Sequence, residues 1–388
     1  MTPNTAIVGL GLTEMGKVYG RTAAQFAVEA ITKAAEDAGL TLADIDGLLV
    51  NPGIGNDTDL RLQSTLQMRH TRLLTTMQGF GSSAGQMVQY ASLAIAAGMV
   101  DVVACVYADA PLKEGQRTGA AYPGQRKAMV GVEALPAAAG LRAAPERYAV
   151  AARRHMATYG TTSEQLGAVA VAARQWATMN PLAQMRTPIT LEDHQSSRMI
   201  ADPLRLLDCC LVSNGAVAII LTSAERAVTL RQPPVYVWGW GQSHPGYVNR
   251  RDSEFVLVTG AKRSGAEALA MAGVTVDDID IREIYDCFTY TTLVTLEDYG
   301  FCKKGEGGDF VASGAIAPGG SHPTNTGGGH LSSFYMWGMT PLAEAVIQAR
   351  GQAGERQVPK HDLIMVSGNG GVLDFHSTLI LGAHPKGR

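Results

Sequence analysis

The first part of the chain alternates short apolar runs with an amphipathic stretch. Residues 5–9 form an apolar run that ends in glycine, which is typical of a buried strand, and residues 46–50 form a second such run. Between them, residues 21–39 place apolar side chains on one helical face and end in glycine, which predicts a helix. This order of elements predicts an α/β layered fold. It continues with a glycine-rich turn at 79–85, a helix at 86–97 and a strand at 102–107.

One sequence pattern occurs twice. Residues 38–46 read AGLTLADID and residues 272–280 read AGVTVDDID, so they differ only by Leu-to-Val exchanges and one Ala-to-Asp exchange. Each copy follows an alanine-rich helical stretch and precedes an apolar segment, at 47–50 and 281–285. Because the surroundings match as well as the letters, we infer two related halves, the second starting near Pro233.

The segment between the halves has a different composition. It is rich in Arg, Met and His, and helices are predicted at 146–159 and 163–179. We expect an insertion that covers a binding cleft, after which residues 209–222 return to the character of a core strand. The predicted organisation is a first half of residues 1–110 and 207–231, an inserted helical loop domain of residues 111–206, and a second half of residues 232–388.

Composition excludes several classes of protein. The 388 residues carry 17% charged side chains and a net charge of −3, so no basic surface for nucleic acid is expected. Five cysteines without a CxxC pair argue against a disulfide framework and a zinc site. The apolar run 91–106 is interrupted by Gly98 and Asp101 and is too short to span a membrane. With no signal peptide recognisable in residues 1–9, we expect a soluble protein of the cytoplasm.

Two glycine motifs suggest chemistry that the rest of the sequence supports poorly. Gly9-Leu10-Gly11 follows a strand, but the next glycine, Gly16, comes too late for a dinucleotide fingerprint. The stretch 81–85 (GSSAG) matches the nucleophile elbow of serine hydrolases, with Ser83 as the nucleophile. A hydrolase would also need an acid and a late histidine, for which Asp374 and His376 are available. A simple turn of small residues before a helix is the alternative.

Tyrosines and glycines gather in the second half. Residues 283–290 (EIYDCFTY) place Tyr285 at the end of an apolar strand, and Tyr335 follows a glycine-rich stretch. Taken singly, each is most simply a buried tyrosine with a satisfied hydroxyl. Glycine clusters after probable strands indicate backbone N–H groups near a ligand carbonyl or phosphate. His322 and His330 have no spacing typical of metal ligands.

Taken together, these features resemble the thiolase superfamily, and within it the sterol-carrier-type thiolases. The resemblance covers the whole chain and implies a thiolase-like fold of two pseudo-repeated βαβαβ-type halves in an α/β/α/β/α layering with an inserted loop domain. The segments that carry it are His155-Met156 with Tyr159-Gly160, Arg174-Gln175 with Asn180-Pro181, Gly300-Phe301-Cys302 with residues 305–308, and residues 325–332.

The departures from the thiolase pattern concern the reacting groups. Counting back from Gly98, the position of the nucleophilic cysteine is Gly81, and the position of the histidine of the GHP motif is Tyr335. The second cysteine becomes Ser367, and the Asn or His before the Glu/Asp-x-Phe element becomes Tyr285. Thioester exchange through cysteine needs a thiolate and a base, and neither is in place.

What remains resembles the thiolase-like aldolases of bacterial steroid side-chain breakdown. The resemblance implies carbon–carbon cleavage of a β-hydroxyacyl-CoA to a ketone or aldehyde and a short acyl-CoA, such as propionyl-CoA. Coenzyme A would enter as part of the substrate, with no metal and no permanently bound cofactor. It further implies a homodimer and a small OB-fold, zinc-finger partner chain. The implied catalytic residues are Tyr285 and Tyr335, and the implied substrate- or CoA-binding residues are His155, Met156, Gly81, Asn325, His330, Ser367, Gly370 and Gly371.

The mechanism expected from this resemblance uses the two phenols. Tyr335 would take the proton of the β-hydroxyl, and Tyr285 would be the partner acid or positioning group, with the reverse order equally open. An enolate would be held by backbone N–H groups around Gly370 and Gly371. Since a free phenol has a pKa of about 10, we expect the site to lower that value. Asp286 is expected to be structural.

Three other classes of protein remain alternatives. A non-catalytic lipid- or acyl-CoA-binding relative explains the missing cysteine without a new reaction. An acyltransferase or thiolytic enzyme with a relocated nucleophile would use Cys287. The serine hydrolase would use Ser83.

Overall fold

The computed structural model describes residues 4–54, 57–121, 130–131, 134–245 and 254–387. Within these ranges no helix combines the length and apolar character needed to cross a membrane. The strands are β1 (Thr5–Leu12), β2 (Gly47–Asn51), β3 (Leu73–Thr76), β4 (Val102–Asp109), β5 (Met199–Ala201), β6 (Leu204–Arg205), β7 (Gly215–Ser223), β8 (Val235–Ser243), β9 (Ile281–Glu283), β10 (Leu363–Gly370) and β11 (Phe375–Gly382). The helices are α1 (Ala23–Ala38), α2 (Leu62–Thr65), α3 (Ser83–Ala96), α4 (Ala134–Ala138), α5 (Ala144–Tyr159), α6 (Ser163–Thr178), α7 (Leu191–Ser196), α8 (Ala224–Ala227), α9 (Ala261–Ala272), α10 (Thr289–Tyr299), α11 (Gly307–Ala312) and α12 (Met339–Ala349).

Nine strands form one mixed sheet in the order β3-β2-β4-β7-β1-β8-β11-β10-β9. Its centre is the antiparallel pair β1 and β8, joined at Ala6 with Tyr236 and Ile7 with Val235. If the edge strand β3 is left aside, each half has the same order from edge to centre: its second, third, fourth and first strand. The sheet therefore has the internal symmetry expected of two related halves. The domain bounds at residues 110, 206 and 231 stay a prediction.

The duplicated sequence pattern folds in the same way in both halves. Gly39 and Gly273 end their helices with φ of 74° and 72°, a conformation that glycine adopts without a steric penalty. A short 3₁₀ turn follows in each, closed by Asp44 on Thr41 and by Asp278 on Thr275. The repeated letters thus encode a helix end, a capped turn and the entry to a strand.

The helices are arranged in layers around the sheet. Helix α1 contacts β1, β4 and β7, and helix α9 contacts β8 and β11. Helices α3 and α12 contact strands of both halves, so they lie between the two half-sheets. This confirms the predicted α/β layered fold. The helices predicted in the insertion are also present, as α5 and α6, while residues 122–129 and 132–133 of that segment lie outside the described ranges.

The Gly9-Leu10-Gly11 motif serves packing between helix and sheet. A Cβ atom on Gly9 or Gly11 would lie less than 3.0 Å from the backbone of α1. Gly239 and Gly241 on β8 meet α9 in the same way. The pair of glycines is therefore part of the duplication, and it lets each outer helix approach its strand closely.

We predict that Gly11→Ala destabilises the fold by about 1–3 kcal/mol, because the new methyl group meets the Ala30 carbonyl and a packed core resists added volume. Urea unfolding of the variant and wild type measures the loss. Gly119→Ala is the matched control, since nothing lies within 4 Å of its Cβ position. Equal midpoints for both variants would contradict the packing role.

Candidate active site

The structure brings the two predicted catalytic tyrosines together. Tyr285 lies two residues after β9, and Tyr335 lies two residues after a π-helical turn at Gly329–Ser333. Their hydroxyl oxygens are 2.9 Å apart, so they share one hydrogen bond in which either can donate. Tyr285 is buried and Tyr335 is partly buried. The pair joins residues 50 positions apart into one potential proton-transfer unit.

Tyr285 is held through its neighbours in the chain. The Asn325 side chain accepts a hydrogen bond from the backbone N–H of Ile284 at 2.7 Å. The Thr291 hydroxyl donates to the Tyr285 carbonyl at 3.0 Å. Asn325 itself has a φ of 53°, which is uncommon for a residue other than glycine. Its side chain acceptor is thus engaged by the protein, which makes Asn325 a positioning residue for Tyr285.

His330 fills the space beside the two phenol rings. Its ring centroid lies 4.6 Å from that of Tyr285 and 5.1 Å from that of Tyr335. Its Nε2 atom lies 2.7 Å from the Trp337 carbonyl, and its Nδ1 atom lies 2.7 Å from a carboxylate oxygen of Asp286. Both ring nitrogens face protein oxygens and the residue is fully buried, so the His330 ring is held in place. Its packing against the two phenol rings fixes their positions.

Asp286 and Ser213 complete the support of the pair. The Asp286 carboxylate accepts hydrogen bonds from the backbone N–H groups of His330 at 2.8 Å and Leu331 at 3.3 Å. It thereby caps the π-helical turn that precedes Tyr335, in line with its predicted structural role. The Ser213 hydroxyl accepts from the backbone N–H of Tyr335 at 2.9 Å.

Gly81 leaves room for the ring of Tyr285. A Cβ atom at position 81 would lie less than 3.0 Å from two ring atoms of Tyr285 and from the carbonyl oxygen of Asn369. Any side chain at this position and the Tyr285 ring therefore exclude each other. The resemblance implies that this is the position of the thiolase nucleophile; here the phenol ring of Tyr285 fills the space that any side chain at position 81 would need.

The expectation that the site lowers the tyrosine pKa values is wrong. Burial, together with the neighbouring Cys287, holds the pKa of Tyr285 well above 10, although the hydrogen bond from Tyr335 acts in the other direction. Burial and the neighbouring Tyr285 likewise raise the pKa of Tyr335. A charged phenolate is unfavourable in an apolar surrounding. Both hydroxyls thus keep their protons at neutral pH.

His155 is part of a buried ion-pair network. Its Nδ1 lies 2.9 Å from the Thr161 hydroxyl and its Nε2 lies 3.0 Å from a Glu297 carboxylate oxygen. Lys304 contacts the same carboxylate at 3.1 Å. Burial raises the pKa of Glu297, but His155 and Lys304 outweigh it and hold that pKa below 4.5. The His155 ring is thus bound within the protein, while the adjacent Met156 is half-buried.

Ser367 belongs to another buried network, on β10. Its hydroxyl lies 3.1 Å from Nε2 of His376, which the Tyr299 hydroxyl also approaches at 3.2 Å. Burial lowers the pKa of His376 to about 3, so its ring is neutral. The Ser367 hydroxyl is therefore engaged by a histidine within the protein.

Gly370 and Gly371 lie where β10 turns into β11. A Cβ atom on Gly370 would come within 3.0 Å of the Gly79 carbonyl, which brings this strand against the turn that contains Gly81. Gly371 has a φ of 62°, and the next two residues, Val372 and Leu373, also have positive φ. Such a conformation is strained for a β-branched residue, and strain of this kind concentrates at functional sites.

Two residues near the pair were missed by the sequence analysis. Tyr148 on α5 lies beside Cys287 and Asn369, and burial raises its pKa well above 10. Asn369 is fully buried, and among the described residues neither atom of its amide has a hydrogen-bond partner within 3.5 Å, although the Tyr148 hydroxyl lies close enough to interact with it. In the sequence, Asn369 could have been noticed as a polar side chain inside the glycine run 367–371. Nothing in the sequence indicates Tyr148, since only folding brings α5 close to the tyrosine pair.

The structure does not favour the nucleophiles of two alternatives. The Ser83 hydroxyl is fully buried and accepts a hydrogen bond from the Gly79 N–H at 2.7 Å, whereas His376 contacts Ser367. Burial raises the pKa of the Cys287 thiol to about 12, so it stays protonated. Within the described ranges, no group of three or more His, Cys, Asp or Glu residues could hold a metal ion.

Known proteins similar to this chain were identified at three levels. A family profile described as "Thiolase C-terminal domain-like" matches residues 241–383. A steroid side-chain-cleaving aldolase of Thermomonospora curvata is 37% identical over 97% of both chains. A 17-hydroxy-3-oxo-4-pregnene-20-carboxyl-CoA lyase of Mycobacterium tuberculosis is 37% identical over 95% of this chain and 97% of its own. The solved structure of an Ltp2-ChsH2(DUF35) aldolase is 36% identical, covers 98% of each chain and superposes with a TM-score of 0.89.

We predict that Gly81→Ala destabilises the wild type more than it destabilises a Tyr285→Ala background, because removing the ring relieves part of the clash. A double-mutant cycle from denaturant unfolding should give a coupling energy of about 1–3 kcal/mol. The Asn369 carbonyl limits the relief, since it remains in both backgrounds. Gly119→Ala with Tyr285→Ala is the control and should be additive; additivity of the Gly81 pair would refute mutual exclusion.

We predict that Glu297→Gln lowers thermal stability at neutral pH and that its difference from wild type shrinks as the pH falls. The carboxyl has a folded-state pKa below its ordinary 4.5, so its contribution is present above about pH 4.5 and is lost at lower pH. Melting temperatures between pH 7 and pH 3.5 test this. Asp298→Asn is the control. Burial raises the pKa of Asp298, so the stability difference between this variant and wild type should change with pH in the opposite direction. A difference independent of pH would sink the ion-pair interpretation.

Proposed function

This chain belongs to the thiolase superfamily, and we propose that it is an acyl-CoA retro-aldolase, a lyase that cleaves a β-hydroxyacyl-CoA into a ketone and a short acyl-CoA. The resemblance inferred from the sequence is thereby confirmed at the level of the superfamily. The observation that carries the proposal is the 2.9 Å hydrogen bond between Tyr285 and Tyr335, with the Tyr285 ring filling the space of a side chain at position 81. A buried pair of phenols suits proton transfer and offers no nucleophile for acyl transfer.

The substrate class follows from two relatives. One is named for cleaving a steroid side chain, and the other for acting on a pregnene-carboxyl-CoA. We propose a steroid side-chain CoA thioester with a β-hydroxyl as the substrate of this chain, with propionyl-CoA as the short product. Coenzyme A is then part of the substrate.

The proposed reaction moves one proton from oxygen to carbon through the pair. The β-hydroxyl gives its proton to Tyr335, Tyr335 gives its own to Tyr285, and Tyr285 gives its own to the α-carbon. The electron pair of the O–H bond becomes the new C=O bond, and the pair of the Cα–Cβ bond passes through the thioester enolate to the new C–H bond. Each tyrosine ends with one proton, so the balance closes, and the reverse order balances equally.

This relay suits the raised pKa values of the two phenols. A standing phenolate at neutral pH is not required, because each hydroxyl accepts one proton while it donates another. We propose that backbone N–H groups around Gly370 and Gly371 stabilise the enolate, and that Met156 and Gly81 border the acyl-CoA. His155, Asn325, His330 and Ser367 act in this proposal by holding the surrounding structure, since each is engaged by protein groups.

We also propose that the chain works in an assembly. The similar solved structure is that of an Ltp2-ChsH2(DUF35) aldolase, whose name includes a DUF35 component. We propose that this chain pairs with a small OB-fold, zinc-finger partner and forms a homodimer, as the resemblance implies. Its cysteines are free, which suits the reducing cytoplasm.

We predict that Tyr335→Phe and Tyr285→Phe each lower kcat of cleavage by at least about 100-fold, because each breaks the relay. The chain would be co-expressed with an adjacent OB-fold protein and given a β-hydroxyacyl-CoA with a tertiary hydroxyl on a ring. Mass spectrometry would follow the ketone and the short acyl-CoA together.

Tyr236→Phe, on β8 and away from the pair, is the matched control and should keep full turnover. Cleavage that survives both tyrosine substitutions would remove the pair from the mechanism. Tight acyl-CoA binding without cleavage by the wild type would instead favour the non-catalytic binder.

A further inference from the structure

Asn369 has an unusual environment for an amide side chain. It lies on β10 and is fully buried, and neither its amide nitrogen nor its amide oxygen has a hydrogen-bond partner within 3.5 Å in the described ranges, although the Tyr148 hydroxyl lies close enough to interact with the amide. Among the described residues it is the only one with two such buried atoms. A buried polar group without a partner costs free energy that an apolar side chain of the same size would not cost. The amide is therefore available for a ligand.

The strand geometry places the backbone of Asn369 against the ring of Tyr285. The carbonyl oxygen of Asn369 and the ring of Tyr285 converge on the same point above Gly81. Gly368 and Gly370 face the turn that contains Gly81, so the Asn369 side chain leaves the opposite face of β10. There it lies within hydrogen-bonding reach of the Tyr148 hydroxyl, and Tyr148 in turn neighbours Tyr285.

Its neighbour on the same face makes a useful contrast. Ser367, two residues earlier, spends its hydroxyl on His376 at 3.1 Å. The amide of Asn369 has no partner within 3.5 Å in the part of the chain that the structure describes, and the polar group beside it is the Tyr148 hydroxyl. Two side chains of one strand face thus differ in that one is closed by an internal bond and the other is open.

In the proposed reaction, the thioester oxygen of the substrate needs a hydrogen-bond donor. During cleavage, negative charge collects on the thioester oxygen, and a pre-positioned donor in a buried site stabilises such charge strongly. The polar atoms of Tyr285, Tyr335 and His330 contact one another, the Trp337 carbonyl or the Asp286 carboxylate. A neutral amide N–H suits this role because it adds no charge to an apolar surrounding.

We propose that the side-chain amide of Asn369 is a catalytic hydrogen-bond donor to the thioester oxygen, and that it stabilises the enolate. This inference rests on the proposed retro-aldolase function. The amide would donate to the same oxygen as the backbone N–H groups around Gly370 and Gly371. Unlike those groups, it can be removed by substitution.

The test measures cleavage and enolate formation separately. Asn369→Ala and Asn369→Leu should each lower kcat of cleavage about 100-fold or more with little change in KM. They should also slow the exchange of α-hydrogens of propionyl-CoA for deuterium in D2O, which reports enolate formation without carbon–carbon cleavage. The melting temperature should stay equal to that of wild type or rise, because an unpaired buried amide is removed.

Thr295→Val is the matched control, since it removes a buried hydroxyl that also lacks a partner, in helix α10. It should leave both rates unchanged. Cleavage and exchange at wild-type rates in both Asn369 variants would overturn the role of the amide and leave the retro-aldolase function standing. A wild-type chain that neither cleaves nor exchanges would overturn both, and one that exchanges without cleaving would overturn only the retro-aldolase.

Discussion

The close contact between Gly81 and the ring of Tyr285 is the constraint on which the site depends. Position 81 has no room for a side chain, because the phenol ring and the Asn369 carbonyl occupy that space. Three further glycines allow the segments to come this close: Gly338 and Gly368 meet the Gly81 carbonyl, and Gly370 meets that of Gly79. The site is thus a junction of backbone segments that glycine alone permits, and the phenol ring of Tyr285 lies within it.

The support of the phenols is almost entirely internal. His330 lies against both rings, Asp286 caps the turn before Tyr335, and Asn325 and Ser213 bind backbone N–H groups beside the pair. Burial raises the pKa of both tyrosines, so the phenols stay protonated at neutral pH. A site built in this way suits proton transfer between neutral groups, as in the proposed retro-aldol cleavage.

The duplicated halves explain why much of the glycine content is unrelated to catalysis. Gly9 and Gly11 on β1 correspond to Gly239 and Gly241 on β8, and all four let an outer helix approach a central strand. The glycines around position 81 serve a different purpose, because they meet segments from both halves. The arrangement of helices and sheet is therefore symmetric, whereas the tyrosines that form the candidate active site are not repeated in the other half.

The sequence by itself determined the local features of this protein. Periodicity and helix-ending glycines located α1, α5 and α6, and the repeat at 38–46 and 272–280 revealed the two halves, because these signals act within a few residues of one another. The layered fold followed from the order of the elements. The two tyrosines were identified by resemblance, since their spacing along the chain carries no chemistry.

Only the tertiary structure decided burial and partners. His155 contacts Glu297, which lies 142 positions away in the chain, so its ring is engaged within the protein. The residues next to His155 in the sequence give no indication of this contact. The tyrosine pKa values move upward instead of downward, because burial depends on how distant segments pack around the pair. Asn369 was recognised as a candidate for the same reason. A polar side chain in a glycine run is ordinary in the sequence, and only the fold buries it without a hydrogen-bond partner within 3.5 Å among the described residues.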